Sequence, residues 1–294
     1  MIDSFGRDRE LIEGRLAEVC ELHLSALPSS LADPIRYGLE SPGKRLRPLL
    51  LLFAYRATGG TRDASLLACA LEIVHCYSLI HDDLPCMDDD DVRRGRPTVH
   101  KVYGARAAIL GGLAMVPLAT LVARDAMQAM GVPSAMQRRG LETLLDAAGA
   151  RGMIGGQQAD LAGEGLSLSL EAREAIHSGK TGALIVGAVT LGALAAGASE
   201  DQVAALDRYG RDIGLAFQIM DDVLDVTSTT AALGKTSGRD AVLGKSTYPA
   251  LLGVDGASAR ARGLVEDGLE SLRGHGLLTP ELSQVANFMV TRTS

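Results

Sequence analysis

The sequence contains no tryptophan, and only four phenylalanines and six tyrosines among its 294 residues. β-Sandwiches and barrels lean on aromatic and β-branched side chains, so this scarcity beside abundant Ala, Leu and Gly favours packed helices. Cysteine is scarce too. Cys20, Cys69, Cys76 and Cys86 form no C-x-x-C pair, which fits neither a zinc site nor a disulfide framework and suits a reducing cytosol. Positive charge is not in excess: the net charge of −7 argues against a nucleic-acid binder held by phosphate contacts. The first residues, MIDSFGRDRELIEGRL, lack the apolar core of a secretory signal. No G-x-x-x-x-G-K-[ST] stretch occurs, which excludes a P-loop NTPase.

What is present is ordinary globular material, 47% hydrophobic and 22% charged, which excludes a disordered chain. Two uncharged runs, Ala107 to Ala123 and Thr181 to Ser199, approach the length of a membrane span. They are rich in Ala and Gly rather than Leu, Ile and Phe, and Pro117 interrupts the first, so both are expected as core helices and no membrane span is expected. Apolar residues recur at helical intervals in Leu66 to Leu79, Glu171 to Ala183 and Gln202 to Val226. Breaks are expected at residues 27–30, 40–43, 58–60, 131–134, 163–165 and 253–258. None is long enough to act as a linker, so one all-α domain over residues 1–294 is expected.

The chemistry is concentrated in two acidic motifs. His81-Asp82-Asp83-Leu84-Pro85-Cys86-Met87-Asp88-Asp89-Asp90-Asp91 places six aspartates in ten positions after an apolar helix. Like charges this dense repel, and a helix C-terminus is itself negative, so the arrangement is unfavourable without cations. Pro85 should stop the helix and let Asp88 fold back towards Asp82. Hard oxygen donors grouped in this way suit Mg²⁺, and an EF-hand fails for want of its Gly and closing Glu. A solvated acidic turn is the alternative at this point. The second motif, Asp221-Asp222-Val223-Leu224-Asp225, ends an apolar stretch. Asp221 and Asp225 share a helix face, whereas Asp222 points elsewhere. An exposed helix end would explain it alone; two such motifs in one helical chain favour a shared metal site.

Basic residues accompany both motifs. Lys44 and Arg47 lie three apart at a helix start, able to clasp one anion; Arg93-Arg94-Gly95-Arg96 follows the aspartates; Lys180-Thr181, Lys235 and Lys245 sit beside glycines and hydroxyls. Each alone reads as surface charge. Their order around the aspartates raises a metal site with two anion subsites, hence two phosphorylated substrates.

At these residues the chain resembles the short-chain trans-prenyltransferases, the polyprenyl synthetase family, and within it the bacterial farnesyl diphosphate synthases. The likeness runs from about Tyr37 to Leu252. It is carried by Gly43 to Pro48, His75 to Arg94, Gly155-Gly156-Gln157, Lys180 to Leu184, Phe217-Gln218 to Asp225, Leu233-Gly234-Lys235 and Leu243 to Pro249. The resemblance implies an isoprenoid-synthase-type helical bundle around a central cavity, a cytoplasmic homodimer, and about three Mg²⁺ ions. It implies that Asp82 and Asp88 hold two ions and Asp221 the third, with Asp222 and Asp225 in support. Arg93, Lys180, Thr181, Gln218 and Lys235 would then bind the allylic diphosphate. Lys44, Arg47, His75 and Arg94 would bind isopentenyl diphosphate, with Lys245 near the diphosphates.

The implied reaction ionises an allylic C–O bond and adds isopentenyl diphosphate to the cation. It needs no side-chain nucleophile, and His81 is read as a helix-end hydrogen-bonding residue. Tyr77, five residues before Asp82 and roughly 7 Å deeper along the helix, would floor the pocket and stop growth at fifteen carbons. One departure stands out: where relatives carry Gly-Asp-Ala-Leu, this chain reads Gly111-Gly112-Leu113-Ala114 and then Pro117. The alternatives are a geranyl or geranylgeranyl diphosphate synthase, or a non-catalytic prenyl-diphosphate-binding partner subunit.

Overall fold

The computed structural model describes residues 5–163, 165–166, 168–227 and 247–292. In chain order its helices are α1 (Gly6–Leu24), α2 (Ser29–Leu39), α3 (Leu46–Ala57), α4 (Ser65–Asp82), α5 (Val99–Tyr103), α6 (Ala105–Ala129), α7 (Ser134–Ala148), α8 (Met153–Ala162), α9 (Leu170–His177), α10 (Ala183–Ala196), α11 (Glu200–Thr227), α12 (Tyr248–Gly274) and α13 (Pro280–Thr291). A π-helical turn, Ser178–Gly182, joins α9 to α10. The all-α expectation holds apart from a two-residue ribbon, β1 (Val92–Arg93) against β2 (Arg96–Pro97). Its turn is Arg94-Gly95, with φ of +53° and +76°, the paired left-handed geometry of a tight hairpin.

α3 and α10 form the centre. α10 is apolar all round, the signature of a helix buried on every side, and Leu184, Ile185, Ala188, Val189 and Leu191 are all buried. It lies so close to α3 that a Cβ at Gly192 would stand 2.5 Å from the Leu51 carbonyl. α3 tolerates Pro48 because that residue falls in its first turn, where the amide has no helical partner. α11 pairs with α12, α10 packs on α7 and α11, and α4 packs on α6. One contiguous apolar core links all these helices.

Two expectations need correction. Pro117 does not interrupt its run: α6 passes through it, because Met115, Leu118, Ala119 and Val122 are buried on either side, which offsets the ~3 kcal/mol of an interior proline. α6 is also not a fully buried core helix; only 39% of its most apolar window is buried, against 67% for the span ending in α10. The break expected over 253–258 is met at its first residue: Gly253 (φ +71°) leaves helical geometry and kinks α12, in a region of backbone space that glycine adopts without strain.

Candidate active site

α4 delivers the first acidic motif. The helix ends at Asp82, as expected one turn before Pro85, and the chain doubles back so that the Asp88 amide donates to the Asp82 carbonyl at 2.8 Å. Burial, followed by the charge of Asp88, pushes the Asp82 carboxyl up to about 6, while Lys180 opposes the rise. Asp83 is turned inward and buried. It accepts from Arg93 Nε at 2.8 Å and from Nη2, and Arg93 Nη2 also reaches Asp90 at 3.2 Å. Arg93 therefore braces the acidic loop from the ribbon that follows it.

Lys180 approaches the same carboxylates from the π-turn. Burial lowers its pKa, but Asp160, Asp82 and Asp88 outweigh that and hold it raised. Its Nζ donates to Asp160 Oδ2 at 2.8 Å, and Arg173 pairs with the other Asp160 oxygen at 3.4 Å. α8 supports the turn by backbone contact: a Cβ on Gly156 would stand 2.0 Å from the Lys180 amide nitrogen. That explains Gly156, while a Cβ on Gly155 would stand 2.0 Å from the Ala150 carbonyl oxygen.

A cluster of basic groups gathers opposite. Arg45, in the left-handed region (φ +51°), is buried against Glu72 at 2.7 Å and donates to the Ser41 carbonyl at 2.9 Å. This pair fixes the loop that presents Lys44 and Arg47 on either side. Arg94 Nη2 lies 3.3 Å from His75 Nε2, and Gly43 leaves room for the Arg94 guanidinium. Burial pushes Arg47 down to about 10, with Arg94 adding to the effect. Burial, then Arg47 and Arg94, drives His75 well below the usual imidazole range. Arg47 Nε and His75 Nδ1 are buried with no partner among the described residues, so these two nitrogens are left for a ligand to satisfy.

The second motif closes the site from α11. Asp221 Oδ1 pairs with Arg292 Nη2 at 2.6 Å, and Gln218 reaches its other oxygen at 3.5 Å. Arg292 also stacks over Phe217, 3.8 Å from the ring centroid. Asp222, 4% exposed, accepts from the Tyr248 amide at 3.0 Å and faces Arg173 and His177, away from Asp221 as helical geometry requires. Asp225 is buried one turn on. Among the described residues, no three of Asp82, Asp88, Asp221 and Asp225 bring ligand atoms within 4.8 Å of one another.

Between these groups lies a cavity of about 340 Å³. Arg47, His75, Asp82, Lys180 and Thr181 line its polar end, and Met153, Ile154, Leu161 and Leu184 its apolar walls. Tyr77 lines it as well, packed edge-on against His81 at 4.8 Å. His81 Nε2 meets the Ile109 carbonyl at 3.1 Å, the helix-end role expected of it. No residue of Gly111 to Pro117 lines the cavity. Lys235 and Lys245 lie outside the described residues.

Sequence reasoning missed Asp160, Arg173 and Arg292, each a single residue without a pattern around it. It quoted Gln157 without a role; both polar atoms of that buried amide lack partners among the described residues, and it lines the cavity.

Comparison with known proteins agrees with this geometry. The Polyprenyl synthetase family profile matches residues 28–273. A farnesyl diphosphate synthase from Escherichia coli is 46% identical over 272 residues, covering 89% of each chain. A dimethylallyltranstransferase from Fischerella ambigua is 43% identical over 99% of this chain and 83% of its own. The apo structure of an FPP/GFPP synthase from Zymomonas mobilis superposes with a TM-score of 0.83 at 33% identity, covering 99% of this chain and 100% of that one. On the match of profile, sequence and fold, the chain belongs to the polyprenyl synthetase family.

Proposed function

We propose that this chain condenses isopentenyl diphosphate head-to-tail with dimethylallyl and then geranyl diphosphate, giving farnesyl diphosphate. The observation that carries this reading is a single cavity lined by Arg47 and His75, each with a buried unpartnered nitrogen among the described residues, by a carboxylate–lysine group and by apolar walls. That is the shape of two diphosphates side by side above a hydrocarbon chain. The names of the Escherichia coli and Fischerella ambigua relatives support it.

Lys44, Arg47, His75 and Arg94 bind the isopentenyl diphosphate and hold its double bond against the allylic carbon. Lys180, Thr181 and Gln218 bind the allylic diphosphate, with Arg93 bracing the acidic loop and Lys235 and Lys245 joining from outside the described residues. The donor set of Asp82, Asp88, Asp221 and Asp225 is entirely carboxylate oxygen, and burial has raised the Asp82 carboxyl as expected where a cation is meant to neutralise it. That set fits Mg²⁺, about three ions by resemblance, which when bound would stabilise the departing diphosphate. Lys180 adds charge stabilisation at the same oxygens. The apolar walls exclude water that would quench the cation, and the released diphosphate takes the final proton.

Tyr77 sets the length of the product. Because Gly111 to Pro117 lines no part of the cavity, that altered segment leaves the fifteen-carbon limit in place. Both acidic motifs are intact, which disfavours a non-catalytic partner subunit. We also take residues 1–294 to act as one cytoplasmic domain in a homodimer. Leu110, Leu113, Pro117 and Leu121 expose an apolar stripe on α6 suited to a second copy. The test is incubation with Mg²⁺, isopentenyl diphosphate and each allylic starter, with products read by mass. Farnesyl diphosphate that is not extended supports the reading; a twenty-carbon product removes Tyr77 as the floor, and no product from any starter overturns it.

A further inference from the structure

The aspartates beyond Asp88 take no part in this chemistry, yet they are not simply solvated. Asp89 is in the left-handed region (φ +49°) and departs from the line of Asp88. One ligand atom each from Asp89, Asp91 and His100 lies within 4.8 Å of the other two. Asp90 does not join them, since its carboxylate meets Arg93 at 3.2 Å.

The state of His100 follows from a short hydrogen-bond chain. The Thr98 hydroxyl donates to the Asp90 carbonyl at 2.9 Å, so towards His100 Nδ1, 3.1 Å away, that oxygen can only accept. The ring proton therefore sits on Nδ1, and Nε2 carries the lone pair. His100 is 7% exposed, and its Nε2 is buried with no hydrogen-bond partner among the described residues. A buried lone pair without a donor costs free energy unless something binds it. Imidazoles that hold metals are oriented in just this way, the far N–H fixed by a neighbouring oxygen. Asp91 Oδ1 also takes Lys101 Nζ at 2.6 Å. A carboxylate has two oxygens, so this pair does not exhaust Asp91.

We propose that Asp89, Asp91 and His100 Nε2 form a second cation site, separate from the catalytic carboxylates, that binds a first-row divalent transition ion such as Zn²⁺. One imidazole with two carboxylates suits Zn²⁺ or Co²⁺ and is a poor match for Mg²⁺, which prefers oxygen donors alone. Such an ion would staple the acidic loop to the start of α5, stiffening the segment that carries Asp88, Arg93 and Arg94.

The experiment uses the full chain with Asp82→Asn, Asp88→Asn and Asp221→Asn, which silences the catalytic carboxylates, and Co²⁺ alone as the probe. The expected result is one Co²⁺ per chain with a visible absorption band that Zn²⁺ displaces and excess Mg²⁺ does not. Adding Asp89→Asn or Asp91→Asn weakens binding by ~10-fold or more, the scale seen when support of a metal site is removed; His100→Gln abolishes the band. Should His100→Gln fail to fold, the two exposed aspartate variants decide. Absence of stoichiometric Co²⁺, or affinity unchanged by Asp89→Asn and Asp91→Asn, overturns the site.

Discussion

Replacing Arg47 with Met should make the ligand-free protein more stable and the enzyme worse. Arg47 is a guanidinium held beside Arg94 and His75 with its Nε unpartnered among the described residues, and its pKa has fallen to about 10 through burial and then the charge of Arg94. At ~1.4 kcal/mol per pKa step, holding it charged costs on the order of 3 kcal/mol, reduced by such solvent as reaches it. The sign is fixed: a cation whose folded pKa is depressed is a liability at every pH below that value, so the cost is present throughout the physiological range. An apolar side chain of similar length removes it. A gain of about 1–2 kcal/mol raises the melting temperature by roughly 2–3 °C in a chain of this size. Losing a charged hydrogen bond to a diphosphate costs about 1.5–3 kcal/mol, so KM for isopentenyl diphosphate should rise roughly 10- to 150-fold. Calorimetry without ligands and steady-state kinetics with each substrate varied measure both. A lower melting temperature together with an unchanged KM would refute the reasoning, because Arg47 would then be a structural residue.

Four further outcomes are expected. Tyr77→Ala, which deepens the cavity beyond its present wall, should shift the product from fifteen towards twenty carbons by mass, and an unchanged product would remove Tyr77 as the floor. Asp160→Asn leaves Lys180 without its nearest carboxylate, 2.8 Å away; kcat should fall by about tenfold or more through misplacement, with KM for isopentenyl diphosphate little changed. His177, pushed down to about 3 by burial and then Arg173, stays neutral in the fold while the unfolded chain protonates below about pH 6.5. Stability is therefore lost as pH falls, by about 2 kcal/mol at pH 5, and denaturant titrations of His177→Gln should lack that increment. Leu113→Glu on the exposed stripe of α6 should shift the protein towards monomer by light scattering; an unaltered mass would place any interface elsewhere.

The features legible in the sequence were those written as patterns. The two acidic motifs, the Lys44–Arg47 pair and the apolar repeat of α4 each put several like residues at a fixed spacing, so helical geometry alone predicted Asp221 apart from Asp222 and the fold-back of Asp88. The features that escaped depend on pairings across long stretches of chain. Arg292 meets Asp221 and Arg45 meets Glu72, and nothing near Arg292 or Glu72 in sequence announces the partner. Asp160 looks like any polar position of an amphipathic helix until the π-turn brings Lys180 onto it. Pro117 was misread for a related reason: local rules end a helix there, but packing of α6 against α4 supplies more than the local penalty removes.

The ligand-free charge pattern also explains why this site must be filled from both sides. Asp82 and Asp88 repel each other and are tempered by Lys180, which Asp160 holds from behind. Arg47 and Arg94 repel each other beside a neutral His75, with Glu72 easing Arg47 only in part, while Arg292 is spent on Asp221. The anionic and cationic halves are thus each frustrated alone. A diphosphate supplies negative charge to the basic half, and a divalent cation supplies positive charge to the acidic half. Either ligand binding by itself relieves only one of them. On the proposed function, their joint arrival would relieve both. Binding energy that the free protein withholds in repulsion is released when both diphosphates and the cations sit over the cavity, the one arrangement in which the allylic bond can ionise next to its acceptor.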